Sequence, residues 1–272
     1  MLEAERHRVI LKLVQERSVV SVREMVDLLD SSEATVRRDI NALAEAAKIR
    51  RIRGGAESLT PRHETHLVGM PFEMSRGIGA PQKRAIARVA ASLIADGDSV
   101  IINGGSTTFA LVEFLKERSL DILTNSIPMI TALVASGRNR VVIPGGTVYR
   151  EQNIVLSPFD NDAIEHFWGQ KLFTSCYGLN RSGLMEADPL IVQAEMKLLK
   201  RAEQIIVLAD SRKLRLRSSI IVAPLSRIAT VITDEGIRAE ELDMLHSAGV
   251  NVVIAALDAD DRALQQTDAA QA

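Results

Sequence analysis

VIINGGSTTFALVEFL, residues 100–115, passes from an apolar strand into a glycine turn, then through hydroxyl side chains into a helical pattern. Gly104 and Gly105 leave backbone N–H groups open. Ser106, Thr107 and Thr108 offer hydroxyls to the same oxygens, and a helix expected to start near Thr107 adds the positive end of its dipole. Such a turn is shaped to hold an anion, either a substrate to be converted or a signal to be read.

Outward from this stretch, apolar strands alternate with helical patterns from Gln82 to about residue 258. A helix over Arg84–Ala95 precedes SVIIN, a single helix runs on to Lys116, and DILTN leads to a helix from Ser126. RVVIPGG, KLFTSCYG, a helix through Ala202, QIIVLAD, ATVITD, a helix near Ala239–Ala248 and NVVIAAL follow. This order predicts a parallel sheet covered on both faces. Ligands of such sheets lie beyond the carboxyl ends of the strands, where strand order reverses. The candidates there are Asn103, Gly104, Gly105, Ser106, Thr107 and Thr108, then Thr124, Asn125 and Ser126, then Gly145 and Gly146, and finally Asp210, placed ahead of Lys213. Glu195 and Lys197 lie near the start of a helix. Lys197 can neutralise a phosphate or carboxylate, and Glu195 can accept from a hydroxyl; an exposed helix pair is the plain alternative.

Upstream, residues 1–58 read as a second domain. Val9, Ile10, Leu13 and Val14 have helical spacing. Ser21 followed by Glu24 is a capping box, and Ser32 or Ser31 caps a third helix whose Val36, Ile40 and Leu43 face inward. IRRIRGGAESL reads as two short strands around Gly54 and Gly55. Three short helices and a basic hairpin describe a winged helix-turn-helix. The net charge of −2 hides a stripe over Arg37–Arg53 with six basic and two acidic residues. Ser32, Thr35, Arg37, Arg38 and Asn41 suit base edges and phosphates in a major groove, and Arg50, Arg51, Arg53 and Gly54 suit a wing on the backbone. A solvated face shared with Glu33, Asp39 and Glu45 is the alternative for these arginines. Residues 59–82 hold prolines and glycines without a period and predict a linker; residues 259–272 predict a flexible tail.

Other signals are bland. The single cysteine, Cys176, permits no disulfide within one chain and reads as a buried small side chain. His63 and His66 lack neighbouring ligands, so no metal or other cofactor is expected. No unbroken apolar run suits a signal peptide or membrane span, which gives a cytoplasmic protein as the expectation. Phe167 and Trp168 suit a subunit or domain contact.

Ser32, Thr35, Val36, Arg37, Arg38 and Asp39, followed by Arg53, Gly54, Gly55 and Ala56, resemble the signature of the DeoR family of bacterial repressors. The resemblance runs to about residue 255. It implies a winged helix joined to a sugar-phosphate sensor of the α/β, Rossmann-like kind related to ribose phosphate isomerase and glucosamine phosphate deaminase. INGGSTTF, YREQNIVLSP, FTSCYGL and the Ala194-Glu195-x-Lys197 segment are similar to its ascorbate-utilisation branch, which implies phosphorylated L-ascorbate as effector. The chain departs from the family where Asn103 replaces the usual aspartate and Gly104 the usual serine. A neutral amide there suits a ligand with anionic or carbonyl oxygens.

The expectation is a repressor of a sugar or sugar-acid operon. It binds operator DNA as a homo-oligomer and is released by a phosphorylated catabolite. A sugar-phosphate isomerase fused to a DNA-binding domain needs a poised carboxylate base, for which Glu186, Asp188, Glu195 and Asp210 are available but position 103 is not. A DNA-binding scaffold with an empty pocket is the third reading.

Overall fold

A computed structural model describes residues 3–17, 19–29, 31–46, 48–52, 54–58, 70–135 and 137–271. Arg53, His63 and His66 lie outside these residues. The chain forms two compact units, Met1–Leu67 and Val68–Gln271.

The first unit contains helices α1 (Glu3–Arg17), α2 (Val22–Leu29) and α3 (Glu33–Glu45), and strands β1 (Val19–Ser21), β2 (Ile49–Ile52) and β3 (Gly55–Ser58). β3 lies between β1 and β2, antiparallel to both. Ser21 and Glu24 form the capping box: Glu24 N–H donates to Ser21 Oγ at 3.2 Å, and Ser21 N–H donates back to Glu24 Oε2 at 2.9 Å. Ser32 Oγ accepts from Thr35 N–H at 3.2 Å and starts α3. Gly54 turns the hairpin at φ +82°, a conformation that favours glycine. Gly55 answers to space instead, since a Cβ there would lie 2.3 Å from the Val20 carbonyl oxygen. Ile10, Val14, Met25, Val36, Ile40 and Ile49 pack one core.

The second unit runs α4 (Phe72–Gly77), α5 (Ala80–Ala91), β4 (Ser99–Ile102), α6 (Ser106–Phe109), α7 (Val112–Leu115), β5 (Asp121–Thr124), α8 (Ile127–Val134) and β6 (Arg140–Val142). Then come β7 (Thr147–Tyr149), β8 (Ile154–Leu156), β9 (Gly169–Thr174), β10 (Gly178–Asn180), β11 (Gly183–Glu186), α9 (Pro189–Leu199), β12 (Ala202–Leu208) and β13 (Ile220–Ala223). β14 (Thr230–Asp234), α10 (Ala239–Ser247), β15 (Asn251–Ala255) and α11 (Ala259–Gln271) complete it. A seven-stranded parallel sheet has the order β15-β14-β12-β9-β4-β5-β6. Alternate residues feed opposite faces, as the strand repeat of two requires. Ile101, Leu172, Ile205 and Val231 join Leu198 and Leu245 on one side. Val100, Phe173, Ile206 and Ile232 join Ile86 and Met129 on the other. From β4 the order runs one way to β5 and β6, and from β9 the other way to β12, β14 and β15. The switch point lies between β4 and β9.

Four details differ from the sequence expectations. The helix running to Lys116 is two four-residue helices, because i→i+3 bonds from Ala110 to Thr107 and from Leu111 to Thr108 interrupt it. Buried Thr108 also turns its hydroxyl back to the Asn103 carbonyl at 2.7 Å. The expected linker contains α4, and α5 begins at Ala80, with Pro81 in its first turn where a missing N–H costs nothing. Ala202 opens β12 rather than closing a helix. The expected flexible tail forms α11, because Asp261 is fully buried between Arg84 (2.8 Å) and Arg88 (2.6 Å).

Candidate functional site

On α3, Arg38 is exposed, with no hydrogen-bond or ion-pair partner among the described residues. Arg37 is exposed too but pairs with Glu33 one turn earlier, at 2.6 Å. Arg51 donates to Asn41 Oδ1 at 2.9 Å, joining wing strand to helix, and Arg50 lies 3.4 Å from Glu57. Ser32 and Thr35 share a hydroxyl contact of 2.9 Å at the start of α3. Asp39 leaves the solvated set: it is buried and accepts from Arg6 Nε at 2.7 Å, with His7 Nε2 at 3.2 Å. Burial opposes its ionisation, but the bonds and charges of Arg6 and His7 outweigh that and hold its carboxyl below the usual range. Asp39 clamps α1 to α3, so the helix bearing Arg37 and Arg38 has a fixed base.

In the second unit the strand-end turns meet at the switch point. Asn103 is buried; its N–H donates to the Phe173 carbonyl at 3.0 Å, and its Nδ2 donates to Thr174 Oγ1 at 3.0 Å and Glu195 Oε1 at 2.7 Å. Gly104 N–H donates to Asn125 Oδ1 at 2.8 Å. Ser126 caps α8, and Thr124 Oγ1 accepts from Ser126 N–H at 3.1 Å. The Thr124–Ser126 side chains thus hold the shape of the turn. A Cβ at Gly104 would fall 2.3 Å from Ile154 Cγ2, whereas one at Gly105 would meet only Thr108 Oγ1 at 3.3 Å and Ser175 Cβ at 3.4 Å. Gly105 has φ 168°, extended backbone open to any residue. Thr107 Oγ1 is buried without a hydrogen-bond partner.

Of the three cations at the switch point, Lys83 and Arg212 lie outside the sequence candidates, and Lys213 stands among them behind Asp210. α6 is too short to carry a substantial dipole. Instead Lys83, 3% exposed on α5, donates to Ser106 Oγ at 2.8 Å and to the Ser75 carbonyl at 2.5 Å. Lys213 donates to Ser175 Oγ at 3.0 Å and to the Cys176 carbonyl. Arg212 binds Asp210 Oδ1 at 2.8 Å and the Ile78 carbonyl at 3.2 Å. Burial, then the Lys213 charge, pushes the Lys83 ammonium down to about 8, against the pull of Asp210. Asp210 is itself held below the usual carboxylate range: burial works against it, while Arg212, Lys213 and Lys83 prevail. Asp210 thus feels three cations, of which Arg212 touches it. Lys83 and Ser75 carried no sequence signal, since both sit outside the strand-end turns, and Lys83 lies on an Ala-rich helix that reads as core.

Glu195 is buried beside Asn103, and its Oε2 has no hydrogen-bond partner. Burial and then the Glu186 charge raise its carboxyl well above the usual range. Cys176 is buried and its thiol is pushed up to about 12 by desolvation. Three further candidates lie around β8 and α9. Lys197 donates to the Ser157 carbonyl at 3.2 Å and the Phe159 carbonyl at 2.5 Å, with Asp162 at 3.7 Å. Gly145 and Gly146 are exposed and lead into the β7–β8 ribbon, where a Cβ on Gly146 would strike the Leu156 carbonyl oxygen at 2.1 Å. Phe167 packs against the sheet core, while exposed Trp168 donates to Glu203 Oε1 at 3.2 Å. Among the described residues no helix is long and apolar enough to cross a membrane.

A winged helix with an exposed arginine, joined to a parallel sheet with cations gathered at its switch point, defines a DNA-binding regulator with a sensor unit. The comparisons agree: residues 6–62 match the DeoR-like helix-turn-helix domain and residues 79–235 the DeoR C terminal sensor domain. The chain belongs to the DeoR family of transcriptional regulators. It is 33% identical over 255 residues to the HTH-type transcriptional regulator UlaR of Shigella dysenteriae serotype 1 (strain Sd197), covering 93% of this chain and 99% of that one. The same figures hold for UlaR of Escherichia coli O1:K1 / APEC. Among solved structures it is similar to ribose 5 phosphate isomerase A from Neisseria gonorrhoeae, with 16% identity, a TM-score of 0.35 and coverage of 48% of this chain and 52% of that one.

Proposed function

We propose that the protein is a repressor of a sugar or sugar-acid catabolic operon, released from its operator when a phosphorylated catabolite enters the switch-point crevice. The buried Lys83 bonded to Ser106, with Lys213 and Arg212 nearby, carries this reading; Glu186 and Glu195 also feel Lys213, but burial pushes both carboxyls toward the neutral form. Crowded cations at a largely buried site disfavour one another, and a phosphate dianion relieves that cost with charge-assisted hydrogen bonds. Asn103 to Thr108 then surround the anion, and Asn103, Thr107 and Glu195 face the remainder of the effector.

The neutral amide of Asn103 and the resemblance to regulators of ascorbate utilisation favour phosphorylated L-ascorbate. The protein reads this ligand without converting it. It acts in the cytoplasm as a homo-oligomer, because operators of helix-turn-helix proteins present repeated half-sites.

The test is a titration of the protein–operator complex with phosphorylated sugars and sugar acids. Release of DNA with the ligand recovered unchanged is expected. Retention of DNA at every ligand concentration, or steady conversion of ligand to an isomer, overturns the proposal.

A further inference from the structure

The helix α4 rests on the glycine turn through three residues that share hydrogen bonds. Ser75 Oγ, on α4, lies 2.8 Å from Ser106 Oγ. Lys83 bonds Ser106 and also the Ser75 carbonyl, which accepts from Ile78 N–H at 3.2 Å as well. That carbonyl belongs to the last turn of α4, so Lys83 is the cation that caps this helix end.

Phe109, on the same turn as Ser106, holds α4 from a second direction. Phe72 meets it edge-on at 5.6 Å, and the Arg76 guanidinium lies 4.8 Å from its centroid. The other anchor is the loop between β7 and β8. Phe72 N–H donates to the Glu151 carbonyl at 2.8 Å, and Asn153 Nδ2 donates to Glu73 Oε1 at 3.3 Å. The same loop is tied to the Thr124–Ser126 turn, since Val155 N–H donates to the Asn125 carbonyl and Ile127 N–H to the Asn153 carbonyl, at 2.8 and 2.9 Å.

A six-residue helix with no side-chain N-cap has no stability of its own. Its conformation is set by these contacts, which come from the glycine turn, from Lys83 and from a loop tied to the Thr124–Ser126 turn. α4 is also the first helix of the second unit in chain order, next in sequence to residues 59–69 and the DNA-binding unit.

We infer that α4 transmits effector occupancy: an anion at Gly104–Thr108 draws the Lys83 ammonium off the Ser75 carbonyl, and α4 loosens from the turn. This rests on the crevice being the effector site. A phosphate dianion is a stronger acceptor than a neutral carbonyl, so the shared ammonium moves to the anion. The end of α4 then loses its cation, and Ser75 loses the bond that locks it to Lys83. Linkage requires the reverse as well: weakening the docking of α4 raises affinity for the anion.

Hydrogen exchange of the full-length protein, with and without inorganic phosphate or 6-phosphogluconate, tests this. The expected result is slower exchange over residues 103–108 together with faster exchange over 72–78. Protection of 103–108 with unchanged or slower exchange over 72–78 overturns the role of α4 and leaves the effector site standing. No protection of 103–108 by either probe overturns both. Phe72→Ala, which removes an α4 anchor outside residues 103–108, is expected to tighten binding of the protecting probe by about fivefold. Phe72→Leu serves if the alanine variant does not fold. Unchanged or weaker probe binding in the folded variant overturns the inference.

Discussion

Lys83 Nζ donates to Ser106 Oγ at 2.8 Å, joining an Ala-rich core helix to the turn that follows the central strand β4. Lys83→Met keeps most of the side-chain volume and deletes the charge. Effector affinity is expected to fall ~10–150-fold, the range for a lost charge-assisted bond of ~1.5–3 kcal/mol. Operator affinity without effector is expected to fall as well, because the variant also removes the ammonium from the Ser75 carbonyl at the end of α4. Calorimetry with the effector and an operator gel shift check both; equal effector affinity in variant and parent removes Lys83 from the site.

The same ammonium gives a pH signature. Its value in the fold, about 8, lies below the usual 10.5. As pH rises past 8 the free protein loses this charge, so effector affinity is expected to decline by up to ~tenfold per pH unit between 8 and 9.5. Lys83→Met is expected to flatten that decline. The stability effect has the opposite sense: between about 8 and 10.5 the unfolded chain binds more protons, so the contribution of Lys83 to stability rises with pH. An effector titration repeated at half-unit pH steps gives the slope, and a flat parent profile contradicts the assignment.

Gly104 and Gly105 are expected to respond differently. Gly105→Ala places a methyl in tolerated space beside Ser175 and Thr108, on extended backbone, so the fold is retained while the anion loses room. This variant is expected to bind operator and to ignore effector. Gly104→Ala meets Ile154 Cγ2 and is expected to lower the melting temperature by shifting β8. Melting curves with operator release assays separate the two; effector release by Gly105→Ala equal to the parent moves the anion away from this turn.

Among the described residues Arg38 has no bond to break before it meets DNA, whereas Arg37 must leave Glu33. Arg38→Ala is therefore expected to cost ~1–3 kcal/mol of specific binding, and Arg37→Ala less. Fluorescence anisotropy on operator and scrambled duplexes across a salt series distinguishes base reading from phosphate contact, because only the latter weakens both duplexes alike. Full operator affinity in the Arg38 variant takes α3 out of the groove.

Asp39→Asn tests the clamp beneath the recognition helix. Loss of the ionic bonds to Arg6 is expected to destabilise the first unit by ~1.5–3 kcal/mol at neutral pH. Because the carboxyl is depressed in the fold, its contribution is full above the unfolded carboxylate value and lost as pH falls through the folded value. The gap between variant and parent in denaturant titrations is expected to close in acid. A gap that persists unchanged in acid assigns the loss to something other than charge.

The sequence by itself determined what depends on neighbours along the chain. The Ser21–Glu24 box, the Ser32 cap, the positive-φ turn at Gly54 and the two-residue alternation of β4, β9 and β12 are local, so each was legible. So was the location of a polar turn at Asn103–Thr108, because a glycine pair after an apolar strand has few other uses. Tertiary structure alone decided where the charge for that turn comes from. Lys83 and Lys213 reach the Ser106 and Ser175 hydroxyls because α5 and the Ser211–Arg215 turn pack beside them, and Lys197 is engaged by the carbonyls of Ser157 and Phe159. It also decided that Asp39 is a clamp, that α4 stands where a linker was expected, and that residues after Asp258 form a helix. Long-range ion pairs and shared hydrogen bonds fix each of these, and no spacing along the chain encodes a partner 30 or 170 positions away.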